Sequence, residues 1–297
     1  MLSKAYHSFH LCKEVFRLIV DFHTHTFPDR IAAGTIEKLQ SKSHTRPFTD
    51  GTRDGLLSAM DGAGIGLSVT LPVATNTHQV TKVNDGAAAL NGQGRVLSFG
   101  CMHPDFEDWE QELERIAALG LKGIKIHPVY QGADIDDARY LRILDKCGQL
   151  GLVVVTHAGI DLGFPDKHNC TPAMIRRAVE RVGPVKLVAA HMGGWRNWDE
   201  ATELLADTNV YIDTSFSLGR LTDLGDGYYT DEQLELLDPE AFCAMVRAFG
   251  AHRVLFGTDS PWGGQAEDLA HFNALPLTKM EKRNILGENA VALLGLL

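Results

Sequence analysis

Leu18-Ile19-Val20-Asp21-Phe22-His23-Thr24-His25 is a short apolar run that closes on two histidines two residues apart. Read as a strand, it puts both imidazoles on one face, because strand side chains alternate. Neutral imidazole is a strong ligand for zinc and its neighbours. The pair carries little weight alone, since 13 histidines in 297 residues give about 0.6 such pairs by chance. Its weight comes from three later apolar runs that end in a metal-capable or titratable side chain, at His157, His191 and Asp259.

Working outward from residues 18–25, similar runs recur at 66–74, 96–102, 123–127, 152–157, 186–191, 209–215 and 253–259. Each is short and rich in Val, Ile and Leu, as suits parallel strands buried on both faces. Helical patterns separate several of them. Asp105 is placed to cap a helix whose Phe106, Trp109, Leu113 and Ile116 share a face and which Gly120 ends. Thr171-Pro172 opens another that stops by Gly183, and residues 239–249 read as a third before Gly250. Eight strands alternating with helices predict an α/β chain folded as a single (β/α)8 TIM barrel, with long loops after the first and seventh strands. The alternative is a doubly wound open sheet, which the lack of a glycine-rich fingerprint after the first strand disfavours. Residues 18–297 form the barrel in this reading. Residues 1–17 are an N-terminal extension with no assigned barrel role.

Composition narrows the function. The formal charge of −10 argues against a nucleic-acid or anionic-membrane surface. No apolar stretch approaches the roughly 18 residues of a membrane span. Charged residues from Lys4 to Arg17 interrupt any leader-like apolar segment. Five scattered cysteines without Cys-x-x-Cys spacing read as reduced thiols, so the expected location is cytoplasmic.

Active sites of such barrels lie at the C-terminal ends of the strands. There the sequence places His23 and His25 on the first strand, His157 on the fifth, His191 on the sixth and Asp259 on the eighth. Three imidazoles and a carboxylate suit a divalent ion that keeps a position open. The opposing reading is a set of separate, hydrogen-bonded strand-end residues, and it has to explain all five positions at once.

The stretches "DFHTH", "GIKIHP", "VVVTHAG", "AAHMGG", "LFGTDSPW" and "ILGENAVALLGL" occur in this order from residue 18 to the C-terminus. Together they resemble the amidohydrolase-related metal-dependent barrels, in the group containing aminocarboxymuconate-semialdehyde decarboxylase. The resemblance implies a metal held by His23, His25, His157 and Asp259, with His191 as the catalytic or substrate-facing imidazole and Asp259 sharing in proton transfer. The implied cofactor is one divalent ion, zinc first, with manganese or cobalt open.

The remaining candidates are pocket residues. Lys125 shares a face with His127, so both enter the barrel together, and a buried amine there needs a partner. Three roles compete for it: an ion pair with a neighbour such as Asp21, a carboxylated lysine bridging two metals, or contact with substrate. Arg30 leads a basic stretch (Lys42, His44, Arg46, Arg53) that could hold a substrate carboxylate. Trp195 and Trp262 follow the His191 and Asp259 motifs and are candidate pocket walls, with packing between loops as the alternative.

The expected function is a metal-dependent hydrolase that attacks a small amide, ester or lactone through a metal-bound water. A metal-dependent non-oxidative decarboxylase of a small carboxylic acid is the alternative, and a non-catalytic metal-holding barrel the second alternative. The expected partner is a small molecule, with a carboxylate among the candidates, and a homo-oligomer is allowed. A nuclease of the TatD type is set aside because the third run ends Cys101-Met102-His103-Pro104 with no glutamate.

Overall fold

The computed structural model describes residues 18–296, so the expected extension at 1–17 lies outside the described residues. All eight expected runs become strands: Val20–Thr24 (β1), Leu67–Thr70 (β2), Val96–Ser98 (β3), Gly100–Cys101 (β4), Gly123–Ile126 (β5), Val153–Thr156 (β6), Lys186–Ala189 (β7), Tyr211–Asp213 (β8) and Val254–Leu255 (β9). The third run supplies both β3 and β4, which part at Phe99, so the fifth to eighth runs are β6 to β9. Every ladder is parallel.

The strands fall into a β1-β2-β3 sheet and a β4-to-β9 sheet, and the backbone joins them at both ends. Phe99 N donates to Thr70 O at 3.0 Å across the β3–β4 break. At the other seam Phe22 N donates to Phe256 O (2.8 Å), Asp259 N to His23 O (2.8 Å) and His25 N to Ser260 O (2.6 Å). A doubly wound sheet would leave two open edges. The chain instead folds as a closed (β/α)8 TIM barrel.

The inner face holds Phe22, Val69, Phe99, Val155, Val188 and Leu255, joined from the C-terminal helix by Ala290, Leu293 and Leu294. Because that helix meets the early residues of the strands, it plugs the N-terminal end and leaves the other end for chemistry. Gly123 shows how tightly the interior is filled, since a Cβ there would sit 2.2 Å from Val153 O and 2.5 Å from the Phe99 ring. The outer face, with Ile124, Val154, Leu187, Ile212 and Phe256, packs under the helices.

The helices expected near residues 172 and 239 form as Pro172–Arg181 and Pro239–Phe249. The one expected from Asp105 starts a turn later, at Trp109–Ala118. Asp105 is occupied elsewhere: its backbone N bonds His103 Nδ1 at 3.2 Å and its carboxylate takes Arg139 at 2.7 Å.

The connection after β1 is less a loop than a helix, Asp29–Ser43, followed by residues 44–52. The long connection after β8 meets it. Arg46 N donates to Thr222 O (2.8 Å) and Leu224 N to His44 O (3.0 Å). Tyr229 Oη donates to Ser43 O, and His44 both pairs with Asp226 (2.7 Å) and stacks on Tyr228. The two insertions are therefore one interlocked unit, formed by segments about 180 residues apart in sequence.

Candidate metal centre

His23, His25 and Asp259 come together at the β1–β9 seam. His23 Nε2 and His25 Nε2 lie 3.2 Å apart, and Asp259 Oδ1 is 3.3 Å from the first and 3.1 Å from the second. A register shift between Asp21 and Thr24 allows both Phe22 and His23 to be used inside, Phe22 in the core below and His23 in the cluster above. Gly257 leaves room for this, because a Cβ there would meet His23 Cβ at 2.8 Å.

Hydrogen positions follow from the partners. Leu71 O only accepts, so His25 Nδ1, 2.8 Å away, carries a proton, which turns His25 Nε2 to the cluster. Burial, and then the charge of Lys125, holds the His23 pKa down to about 3, so this ring is neutral. Its Nδ1–H donates to Asp213 Oδ2 at 2.8 Å, which makes His23 Nε2 a lone pair. Burial opposes ionisation of Asp213 and Asp259, but the surrounding imidazoles and hydrogen bonds outweigh it, and both stay well below the usual carboxylate range. Two ring nitrogens and a carboxylate oxygen thus converge within 3.3 Å of one another. N/N/O is a fitting set for a divalent ion.

The other expected residues form an adjoining group. His157 Nδ1 is 3.2 Å from His191 Nε2, and its ring stacks on His127 with centroids 4.2 Å apart and planes 9° from parallel. His127 in turn stacks on Tyr130 and lies 3.6 Å from Asp161. His127, His157 and Asp161 are close enough to suggest a second ion. Ring lone pairs lie in the ring plane, however, and two parallel stacked rings cannot both aim at one ion between them. Burial keeps both histidines well below their usual pKa, and among the described residues His127 Nδ1 and His157 Nε2 have no hydrogen-bond partner.

His191 adopts φ +59°, followed by Met192 at +56°, and Asp259 has φ +65°. Left-handed backbone at non-glycine residues is uncommon and gathers at functional sites. At β7 the turn is held by Asp213, whose Oδ1 accepts His191 N (3.0 Å) and whose backbone O accepts Met192 N (2.7 Å). Trp198 Nε1 donates to His191 O at 3.1 Å. His191 Nδ1 is 2.9 Å from Ser215 Oγ.

Lys125 does enter the barrel, fully buried, with Nζ 3.3 Å from His23 Nε2. Its partner is not Asp21, which points to the outer face and bonds Thr258 and Gln265. Burial brings the Lys125 pKa down to about 8 against the opposing pull of Asp213 and Asp259. Burial also raises Asp21 to about 7 and Asp161 to about 6.

Three further candidates are placed otherwise than at the cluster. Arg30 is exposed in the first turn of Asp29–Ser43, with no hydrogen bond to the centre among the described residues. Trp195 is buried in a loop cluster with Leu221 and Leu234, its Nε1 donating to Phe216 O at 3.0 Å, which is the packing role. Trp262 begins beside the site, its N bonding Asp259 O, and lines a cavity of about 100 Å³ with Phe48, Phe216 and Leu236. Sequence reasoning missed Asp213, Ser215 and Asp161. Asp213 was detectable, because "YIDTS" closes an apolar run on an acid just as Asp259 does. Asp161 sits in an irregular loop and carried no such signal.

A family model described as amidohydrolase matches residues 20–296, and the chain belongs to that family. Over 220 residues the chain is 28% identical to 2-amino-3-carboxymuconate-6-semialdehyde decarboxylase of Dictyostelium discoideum, covering 63% of this chain and 57% of that protein. The crystal structure of 5-carboxyvanillate decarboxylase from Sphingomonas paucimobilis superposes with a TM-score of 0.65 at 17% identity, covering 94% of this chain and 99% of that one. A dihydroxybenzoic acid decarboxylase from Polaromonas, solved with bound manganese and an inhibitor, gives a TM-score of 0.67 at 16% identity, covering 94% and 97%. The family and the barrel agree with the sequence reading. The reaction ranked first does not fare as well: these relatives are decarboxylases and favour the alternative over hydrolysis. Among the described residues no helix is long and apolar enough to cross a membrane.

Proposed function

Starting from a member of the amidohydrolase family, we propose that this chain is a metal-dependent non-oxidative decarboxylase of a small carboxylic acid. The carrying observation is the convergence of His23 Nε2, His25 Nε2 and Asp259 Oδ1 within 3.3 Å of one another, beside groups that can give a proton. His23, His25 and Asp259 hold the ion, and His157, with an unpartnered ring nitrogen, completes the set. Zinc or manganese fits these donors. When bound, the ion supplies a Lewis acid that draws electrons from the substrate's oxygens.

The chain's own residues do the rest. Asp213 fixes His23 in the tautomer that presents Nε2, and Leu71 O does the same for His25. The bond from the substrate carbon to its carboxylate breaks, carbon dioxide leaves, and the electron pair stays on carbon. A proton must then reach that carbon. Lys125, with a pKa of about 8, is mostly an ammonium at neutral pH and stands beside the ligands. His191, tied at Nδ1 to Ser215, is the second group positioned to move it. Either group regains its proton from water after product leaves.

Carbon dioxide release from a panel of hydroxylated benzoates and unsaturated dicarboxylates, with the zinc- or manganese-loaded protein, tests the reading. Release that His191→Ala abolishes while metal stays bound supports it. Turnover of amides, esters or lactones instead would restore hydrolysis, and no turnover of either panel by loaded protein would favour a binding barrel.

One observation favours a second reading. The His157–His191 pair, 3.2 Å apart, adjoins His23, whose ring centroid is 5.2 Å from that of His191 and whose Nε2 is 3.3 Å from Lys125 Nζ. A carboxylated Lys125 joining two ions would then suit hydrolysis. Metal counted per chain separates the two: one ion supports the decarboxylase, two the hydrolase.

A further inference from the structure

Asp21 precedes the histidine pair, yet its carboxylate is fully buried on the outer face of β1. Four donors close on it. Oδ1 accepts Thr258 N at 3.0 Å and His23 N at 3.3 Å, and Oδ2 accepts Thr258 Oγ1 at 2.7 Å and Gln265 Nε2 at 2.6 Å. No lone pair is left over for a metal or for Lys125. The donors belong to three segments: β1 itself, the chain just after β9, and the helix Gln265–Ala274. Thr258 is the residue before Asp259, and its hydroxyl also accepts Ser260 N at 3.1 Å.

We infer that Asp21 is a positioning residue that sets the spacing between the His23–His25 pair and Asp259 across the seam where the barrel closes. At this level the backbone ties the seam through Asp259 N to His23 O (2.8 Å) and His25 N to Ser260 O (2.6 Å), and Asp21 adds the side-chain tie. β9 has only two residues in regular pairing, and Asp259 leaves it in a left-handed conformation. The two backbone bonds hold residues 259 and 260, and the Asp21 side chain holds the residue before them, so the Asp259 oxygen 3.1 Å from His25 Nε2 is set from both sides. Asp21 clamps both backbone and side chain of Thr258 to β1, so the residue after Thr258 is delivered at a fixed height. Gln265 braces the clamp from behind, and its own buried Oε1 has no partner among the described residues.

This rests on the metal reading above, and zinc alone tests it, without substrate. Zinc affinity measured by competition with a chelating dye should fall about 10- to 100-fold in Asp21→Ala, the range for residues that orient ligands. Asp21→Asn should stay within about threefold of the parent. Its amide still accepts from Thr258 N, and Gln265 can turn its free Oε1 to accept the new N–H. An equal loss in both variants would assign the effect to charge and overturn the clamp. So would Asp21→Ala binding zinc as the parent does. If Asp21→Ala does not fold, Thr258→Val removes the hydroxyl bond to Oδ2 and keeps the bond from residue 258 N to Oδ1; it should lose affinity by a smaller factor, and an unchanged affinity there overturns the inference. A parent chain that binds no zinc fails the metal reading itself, a result distinct from a loaded parent with an indifferent Asp21 variant.

Discussion

The two halves of the histidine cluster are built on different plans. In the half made by His23 and His25, each ring has its far nitrogen pinned, one to Asp213 and the other to Leu71 O, so both Nε2 atoms are aimed before anything binds. In the half made by His127, His157 and His191, two rings are stacked face to face and two buried ring nitrogens have no partner among the described residues. The first half is preorganised for a cation by carboxylates and a carbonyl. The second is an imidazole-rich wall held mostly by packing, and it draws its remaining partners from whatever enters the site.

The largest effect follows from that contrast. Asp259→Ala removes the carboxylate oxygen that touches both Nε2 atoms, and zinc affinity should drop by more than about 100-fold. His157→Ala touches the less organised half, and the drop should be nearer tenfold. Chelator competition on the folded variants compares them. Equal losses would erase the distinction and make the two halves one site.

Asp213→Asn sharpens the same comparison at a smaller scale. Its new amide can present an N–H to His23 Nδ1, which turns the proton to Nε2 and spoils the lone pair. It also weakens the caps on His191 N and Ser215 N. Zinc affinity should fall about 10- to 100-fold, a loss confined to metal binding if the melting temperature holds. Normal zinc binding by the Asp213→Asn variant would show that the tautomer is not set from there.

The metal-free protein should also lose stability in acid. Burial holds His23 at about 3 and His127 and His157 well below 6.5, so the unfolded chain takes up protons that the folded chain refuses. Stability therefore rises with pH across this window and falls as pH drops below about 6.5. Asp21, raised to about 7, Asp161, raised to about 6, and Asp268, also raised by burial, work in the other direction, but they stand against five lowered histidines, His103 and His191 being lowered as well. Melting followed by circular dichroism should fall by about 5 °C or more from pH 7 to pH 5. Zinc should raise the melting temperature at pH 7, since it stabilises only the folded chain.

These differences explain how far the sequence could be read. The barrel was legible because most strands lie in short runs rich in Val, Ile and Leu and buried on both faces, and even the two-residue β9 announces itself as Val254-Leu255-Phe256. His23, His25 and Asp259 were legible because strand periodicity and strand ends fix where such residues go. Lys125 was placed inside for the same reason, but its partner was misassigned. The register shift in β1 turns Asp21 outward while His23 faces in, and simple alternation cannot express that. Arg30 looked close to the site because it is near His25 in sequence, but a helix begins at Asp29 and carries it to the surface. The interlock between residues 44–48 and 222–229 was invisible, because no local pattern encodes a contact across such a separation.

That interlock gives the smallest effect, and it contrasts with the cluster beneath it. His44 and Asp226 are both part-exposed, and the hydrogen bond from His44 keeps the Asp226 carboxyl below its usual range. Exposed pairs of this kind add little, because water competes for both partners and side-chain freedom is lost in holding them. The backbone pairs Arg46 N to Thr222 O and Leu224 N to His44 O do not depend on either side chain. Asp226→Asn should therefore leave the melting temperature within about 2 °C and zinc affinity unchanged. Limited proteolysis is the more sensitive check, since cleavage after Tyr228 or Tyr229 requires the insertion to lift. A modest increase in the cutting rate would place the latch in the side chains, and no increase would leave the backbone pairs as what keeps the two insertions together.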